Sequence, residues 1–157
     1  MKAVSNIKIK KLLIMILTIL AVSLSAFFSQ ISFGAPASQV SDVQLLARAI
    51  NGEARGEPYE GQVAVGAVIL NRVKSADFPN SIAGVIYQPG AFTAVADGQI
   101  NVPIDPKSTV VKAAQDALNG WDPTYGCLYY WNPATATSKW IWSRKIVVKI
   151  GKHNFGK

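Results

Sequence analysis

Val63-Ala-Val-Gly-Ala-Val-Ile-Leu70 is apolar on every side, and a helix that is apolar all round must be buried at the centre of a domain. The run belongs to a helix that starts with Pro58 at its first position and extends to about Lys74. Proline suits that place because its missing N–H has no intrahelical partner there. The small residues of the run let a neighbouring helix approach closely. Upstream, Val43, Leu46, Ala47, Ile50 and Ala54 recur at spacings of three and four, with Arg48 and Arg55 on the opposite side. That spacing predicts an amphipathic helix from Asp42, capped by Ser41. Gly56 and Pro58 end it, since the residue before a proline is pushed out of the helical region.

Downstream, Asp77-Phe-Pro-Asn80 reads as a turn, and Ser81 caps a short helix that runs through Tyr87 and closes at Gln88-Pro-Gly90. The stretch from Ala91 to Pro106 lacks periodicity and reads as a long loop, which in a compact domain tends to be functional. Ser108 to Leu118 is another helix, stopped by Asn119-Gly120. After Trp121 the character changes. Cys127–Trp131 and Ile146–Ile150 are strand-like and flank a polar loop from Asn132 to Arg144, as in a hairpin, and His153-Asn-Phe155 forms a last short strand. The fold class is α+β, with a helical body over about 41–120 and a small C-terminal β subdomain over about 121–157.

The chain has 157 residues, half of them apolar, which suits one domain with its own core. Its formal charge of +7 is unevenly spread. Lys2, Lys8, Lys10 and Lys11 precede an apolar run from Leu12 to Phe28, and Gly34-Ala-Pro-Ala37 supplies small residues for cleavage. Residues 1–37 therefore read as a secretory signal peptide and 38–157 as the exported domain. The competing reading is a retained anchor, because this run of 17 residues, broken only by Thr18, Ser23 and Ser25, can just span a bilayer. Without the four signal lysines the charge falls to +3, which favours an anionic polymer such as the cell wall and lacks the basic stripe of a nucleic-acid binder.

Cys127 is the only cysteine and His153 the only histidine, so no intramolecular disulfide forms. A zinc site takes about three protein ligands, commonly histidines, so neither a metal nor a cofactor is expected. A Cys–His peptidase would have to use Cys127 and His153. Cys127, however, opens an apolar strand instead of a helix N-terminus, and reads as a buried small hydrophobe.

The three glutamates are Glu53, Glu57 and Glu60. At about 100° per residue, Glu53 falls roughly 20° from Leu46 and roughly 60° from Ile50, on the inward stripe of its helix. Burial favours the neutral form of a carboxyl group, which is the form a general acid for glycosidic cleavage needs. The bland alternative is an inward carboxylate paired with Arg72. Glu57 and Glu60 have a simpler explanation as negative charges at a helix start. Tyr129, Tyr130, Trp131, Trp140 and Trp142 cluster around the hairpin, where aromatic faces suit sugar rings, and strand alternation separates Tyr130 from Tyr129 and Trp131.

Leu45 through Arg72, with Glu53-Ala-Arg-Gly-Glu57 inside it, resembles the opening of the catalytic domain of the SleB/CwlJ cell wall hydrolases, the spore cortex-lytic enzymes. The resemblance continues in order through Phe78-Pro-Asn80, Val85-Ile-Tyr-Gln-Pro-Gly90, Phe92-Thr93, Ala117-Leu-Asn-Gly-Trp-Asp-Pro123, Asn132-Pro133 and Ile150-Gly151 to His153. It implies a lysozyme-like helical body with a small β subdomain, acting on the glycan strands of peptidoglycan, with Glu53 as the catalytic glutamate. It also implies lytic transglycosylation of spore cortex containing muramic-δ-lactam. Two departures stand out. The peptidoglycan-binding domain usual in SleB-type proteins has no counterpart between the signal and the catalytic pattern, and CwlJ-type proteins typically lack a signal peptide.

The mechanism that follows has Glu53 protonating the glycosidic oxygen between N-acetylmuramic acid and N-acetylglucosamine. Hydrolytic glycosidases pair such an acid with a second carboxylate about 5 to 9.5 Å away, and Asp97 in the long loop is the one aspartate to consider. A lytic transglycosylase avoids that requirement, because the muramic C6 hydroxyl attacks its own C1. Gln88, Phe92, Thr93, Tyr129, Asn132, Trp140 and His153 are the residues expected to orient the glycan. Hydrolysis in vegetative wall remodelling, or non-catalytic peptidoglycan binding by the aromatic hairpin, are the alternatives. A membrane enters only through an uncleaved signal.

Overall fold

In the computed structural model, residues 41–157 are described. The signal-peptide reading falls on 1–37 and lies outside the described residues.

Helix α1 spans Asp42–Ala54, and the Ser41 hydroxyl accepts a hydrogen bond from the Gln44 N–H, as the capping pattern requires. Helix α2 spans Tyr59–Lys74. Pro58 is its N-cap and not its first helical residue, so the sequence expectation is one position early. Every residue of α2 from Gly61 to Ile69 is buried, as an apolar-all-round segment must be. A Cβ on Gly66 would press to about 3.0 Å from Ile50 of α1 and 3.2 Å from Ala117. Helices therefore close on α2 from two sides at that glycine. The second is the helix Thr109–Leu118, ended by Asn119 and by Gly120 at φ +100°.

Between them lies a short helix, α3, Ile82–Ile86, whose N-cap Ser81 accepts from the Gly84 N–H. The expected unstructured loop from Ala91 to Pro106 instead contains α4, Thr93–Ala96, and a 3-10 turn, Gln99–Asn101. Neither is long enough to leave a periodic signal. A Cβ on Gly52 would collide with the Cβ of Ala94, so α4 seats directly on the last turn of α1. In chain order, Thr109–Leu118 is α5.

The C-terminal sheet corrects the hairpin expectation. Its strands are β1 (Tyr129–Trp131), β2 (Ile146–Ile150) and β3 (His153–Gly156), in the order β1-β3-β2, both pairings antiparallel. The strands flanking the polar loop are thus not partners; β3 lies between them. The tight hairpin joins β2 to β3 through Gly151, whose φ is +58°. β1 is shorter than predicted, because Cys127 and Leu128 precede it, and the polar loop holds a 3-10 helix at Lys139–Ser143.

Candidate active site

Glu53 stands in the last turn of α1 and is half-buried, so the fully inward position expected from its helical angle is only partly realised. Its Oε1 accepts from the Thr93 N–H at 2.9 Å and from the Ala94 N–H at 3.4 Å. These are first-turn N–H groups of α4, which a helix cannot satisfy internally. The close seat at Gly52 is what brings them within reach. The hydroxyl of Tyr130 donates to the other oxygen, Oε2, at 3.2 Å. Two backbone donors and one phenol, from segments 40 and 77 residues away, therefore fix one carboxyl group.

Thr93 and Tyr130 also line an open groove of about 750 Å³ that runs past Gln88, Tyr129, Trp140 and the Thr135–Ser138 stretch. Arg72 forms part of its floor. Among the described residues it makes no ion pair with Glu53. Its Nε donates to the Leu128 carbonyl at 2.8 Å, and the guanidinium packs 5.3 Å from the Phe78 ring and 5.7 Å from that of Phe92. Burial draws the Arg72 guanidinium below its usual range, while the fields of Tyr130, Tyr129 and Glu53 oppose the shift. On the outer wall, Tyr129 and Trp140 meet edge to face at 5.4 Å, with the Arg144 guanidinium 4.8 Å and 5.0 Å from their rings. Trp140 remains 51% exposed. It offers a ring face to solvent that is held by its neighbours.

Of the residues expected to orient a glycan, Gln88, Thr93, Tyr129 and Trp140 line the groove. Phe92, Asn132 and His153 do not. Phe92 is buried in the core beneath Arg72. Asn132 closes a turn, accepting from the Ala134 N–H through its side chain and from the Thr135 and Ala136 N–H groups through its carbonyl. His153 is buried behind Tyr130, its ring edge-on at 5.4 Å and 87°. Asp97 is turned onto its own loop, accepting from the backbone and side chain of Gln99.

Glu57 is more than a charge at a helix start. Its side chain is 7% exposed, its Oε2 accepts from the Lys152 N–H at 2.8 Å, and its Oε1 lies 4.0 Å from His153 Nδ1. A Cβ on Gly151 would overlap that carboxylate, so the β2–β3 turn can bed down only with glycine there. Burial pushes the His153 imidazole below its ordinary range, with Glu57 and Glu53 acting against it. Cys127 is fully buried and its Sγ donates to the Thr124 carbonyl. Burial also raises its thiol, the opposite of what a nucleophile needs. Tyr130, Glu57 and Arg72 thus join the site's neighbourhood, although residue type alone does not single them out for it. The strand alternation that separates Tyr130 from its neighbours, and the four-residue spacing of Glu53 and Glu57, are the signals that point to them.

The sequence profile of the Cell Wall Hydrolase family matches residues 56–156. The chain is 65% identical over 117 residues to a spore cortex-lytic enzyme of Bacillus cereus, covering 74% of this chain and 44% of that protein. It therefore spans less than half the length of that relative. The catalytic domain of the Bacillus cereus SleB protein superposes with a TM-score of 0.70 at 65% identity, over 74% of this chain and 89% of that one. The catalytic domain of the germination-specific lytic transglycosylase SleB from Bacillus anthracis gives 0.72 at 61% identity, over 78% and 99%.

Proposed function

Since the chain belongs to the cell wall hydrolase family, we propose that it cleaves the glycan strands of peptidoglycan as a lytic transglycosylase, with Glu53 as its acid and then its base. The observation that carries this reading is the single carboxyl group fixed by three donors beside a groove with a half-exposed tryptophan. Glu53 does not itself line that groove, but two of the residues that hold it, Thr93 and Tyr130, do, and Asp97, the one aspartate considered as a second carboxylate, is bonded to Gln99 on its own loop. A hydrolase that activates water or forms a glycosyl-enzyme needs a second carboxylate across the sugar. A transglycosylase does not.

Glu53 gives its proton to the glycosidic oxygen between N-acetylmuramic acid and N-acetylglucosamine as the C1–O bond breaks. The muramic C6 hydroxyl closes on C1, and the resulting Glu53 carboxylate takes the C6 hydroxyl proton, which returns the acid and leaves a 1,6-anhydro end. Nucleophile and electrophile belong to one sugar, so proximity replaces an external nucleophile. Gln88, Thr93, Tyr129 and Trp140 orient the glycan. The basic, apolar and small-residue pattern of 1–37 supports export, and the similarity to spore cortex-lytic enzymes supports the spore cortex as the substrate.

Mass spectrometry of soluble products released from purified spore cortex and from vegetative peptidoglycan tests the proposal. Muropeptides ending in 1,6-anhydromuramic acid are expected, with cortex the better substrate. Reducing ends one water heavier would replace transglycosylation by hydrolysis. Glu53→Gln should lower turnover by roughly 10²–10⁴-fold, the usual worth of a general acid–base, while circular dichroism stays unchanged. Full activity in that variant would remove Glu53 from the mechanism.

A further inference from the structure

The buried Glu57 and His153 take no part in the steps above, yet they sit one ring away from the acid. Three contacts in series connect the two glutamates of the Glu53-Ala-Arg-Gly-Glu57 motif through the sheet. Glu57 lies 4.0 Å from His153 Nδ1, His153 meets the Tyr130 ring edge-on at 5.4 Å, and the Tyr130 hydroxyl reaches Glu53 Oε2 at 3.2 Å. Phe155 backs the same tyrosine ring at 6.2 Å. His153 Nδ1 is buried without a hydrogen-bond partner, so the imidazole is held there by packing and by the field of Glu57.

The two oxygens of Glu53 are not equivalent. Oε1 faces backbone N–H groups, which only donate and cannot turn away. A proton on Oε1 would confront them. Oε2 faces a hydroxyl, which both donates and accepts. We propose that Tyr130 is a positioning residue that places the mobile proton of Glu53 on Oε2, and that the Glu57–His153 pair holds the tyrosine in register for it. With Glu53 protonated, the phenol leaves Oε2 free to carry the proton. When that proton passes to the glycosidic oxygen, the phenol donates to the new carboxylate, and it releases Oε2 again when the C6 hydroxyl proton arrives. The burial of Tyr130, which holds its phenol well above the ordinary range, keeps it a neutral donor throughout.

This inference rests on the assignment of Glu53, so the two are measured together. Glu53→Gln, Tyr130→Phe, His153→Ala and the Tyr130→Phe/His153→Ala double variant are compared with the parent protein on spore cortex, from pH 4 to 9 in about 0.5-unit steps, with thermal melts alongside. Tyr130→Phe is expected to lower kcat by about 10²-fold, the scale of losing one donor to a charge that forms in the reaction, with KM nearly unchanged and the basic limb of the pH profile, the one a catalytic acid governs, displaced. His153→Ala should lower kcat in the same direction. The double variant should turn over no more slowly than Tyr130→Phe alone, because the histidine acts through the hydroxyl that is already gone. Additive losses, or a Tyr130→Phe variant within about twofold of the parent with an unmoved pH profile, would overturn the proposal and leave Glu53 standing. Activity surviving in Glu53→Gln would overturn both.

Discussion

From Asp42 to Leu118 the inward positions are almost all Ala, Val, Ile or Leu, and the helices close on one another through small residues such as Gly66 and Ala117. From Cys127 to Lys157 the buried apolar residues are Cys127, Trp131, Ile141, Ile150 and Phe155, joined by His153 and Asn154. The segment after Asp122 carries no acidic residue but six lysines and arginines. The first region is organised by apolar burial and the second by rings, hydrogen bonds and a glutamate borrowed from the α1–α2 junction. Under the proposed function, such a protein separates stability from catalysis: the helices hold the fold, while β1 brings Tyr130 to Glu53 and, with the 3-10 helix of Trp140, builds the groove wall.

That separation can be broken by substitution. The largest effect on the folded state is expected in the helices. Leu46 is fully buried, and Leu46→Ala should cost about 3 kcal/mol, as deletion of packed leucines does. At a temperature well below its melting point, the variant should retain its kcat. A kcat that falls in proportion to stability would show that the two regions are not separable. The exposed wall should behave in reverse. Trp140→Ala should leave the melting temperature within about a degree or two and raise KM by roughly three- to tenfold, the worth of one aromatic platform. A loss of melting temperature without a KM change would make Trp140 a structural residue.

The smallest effect is a titration. The His153 pKa in the folded protein lies below the ordinary value of 6.5. Between the two values the unfolded chain binds a proton that the folded protein refuses, so His153 has no effect on stability above about pH 6.5 and costs stability progressively as the pH falls below it. His153→Phe should flatten the stability curve in that window alone. An unaltered slope would mean that the carboxylates set the whole acid response.

The helices are legible in the sequence because their pattern repeats. Val63–Leu70 can be nothing but central, and Ser41 and Ser81 cap where Ser precedes an apolar run. Glu53 is singled out by its angle on the helix and by the motif around it, although the fold leaves it half-buried instead of fully inward. The sheet order is not, because β3 enters between β1 and β2 by contacts that leave no trace in local spacing: its partners are Tyr129–Trp131 on one side and Ile146–Ile150 on the other. Helix α4 is hidden for a related reason. Four residues are too few for periodicity, and the seat that fixes them is Gly52, on another helix and far back along the chain. Phe92, Asn132 and His153 are expected at the groove because their residue types suit it. Burial and turn geometry, which decide otherwise, depend on the assembled fold.

The contact between Glu57 and the Lys152 N–H spans 95 positions, and that between Tyr130 and Glu53 spans 77. Contacts so distant along the chain are among the slowest to form, because a long loop must close before they repay its entropy. The helical body holds long closures too, since α1, which ends at Ala54, packs against α5, which starts at Thr109. The arrangement around Glu53 is complete only when β3 lies between β1 and β2, because β3 carries His153 and pairs with the strand that holds Tyr130. Under the proposed mechanism, undocking β3 would therefore disable Glu53 without touching the helix that carries it.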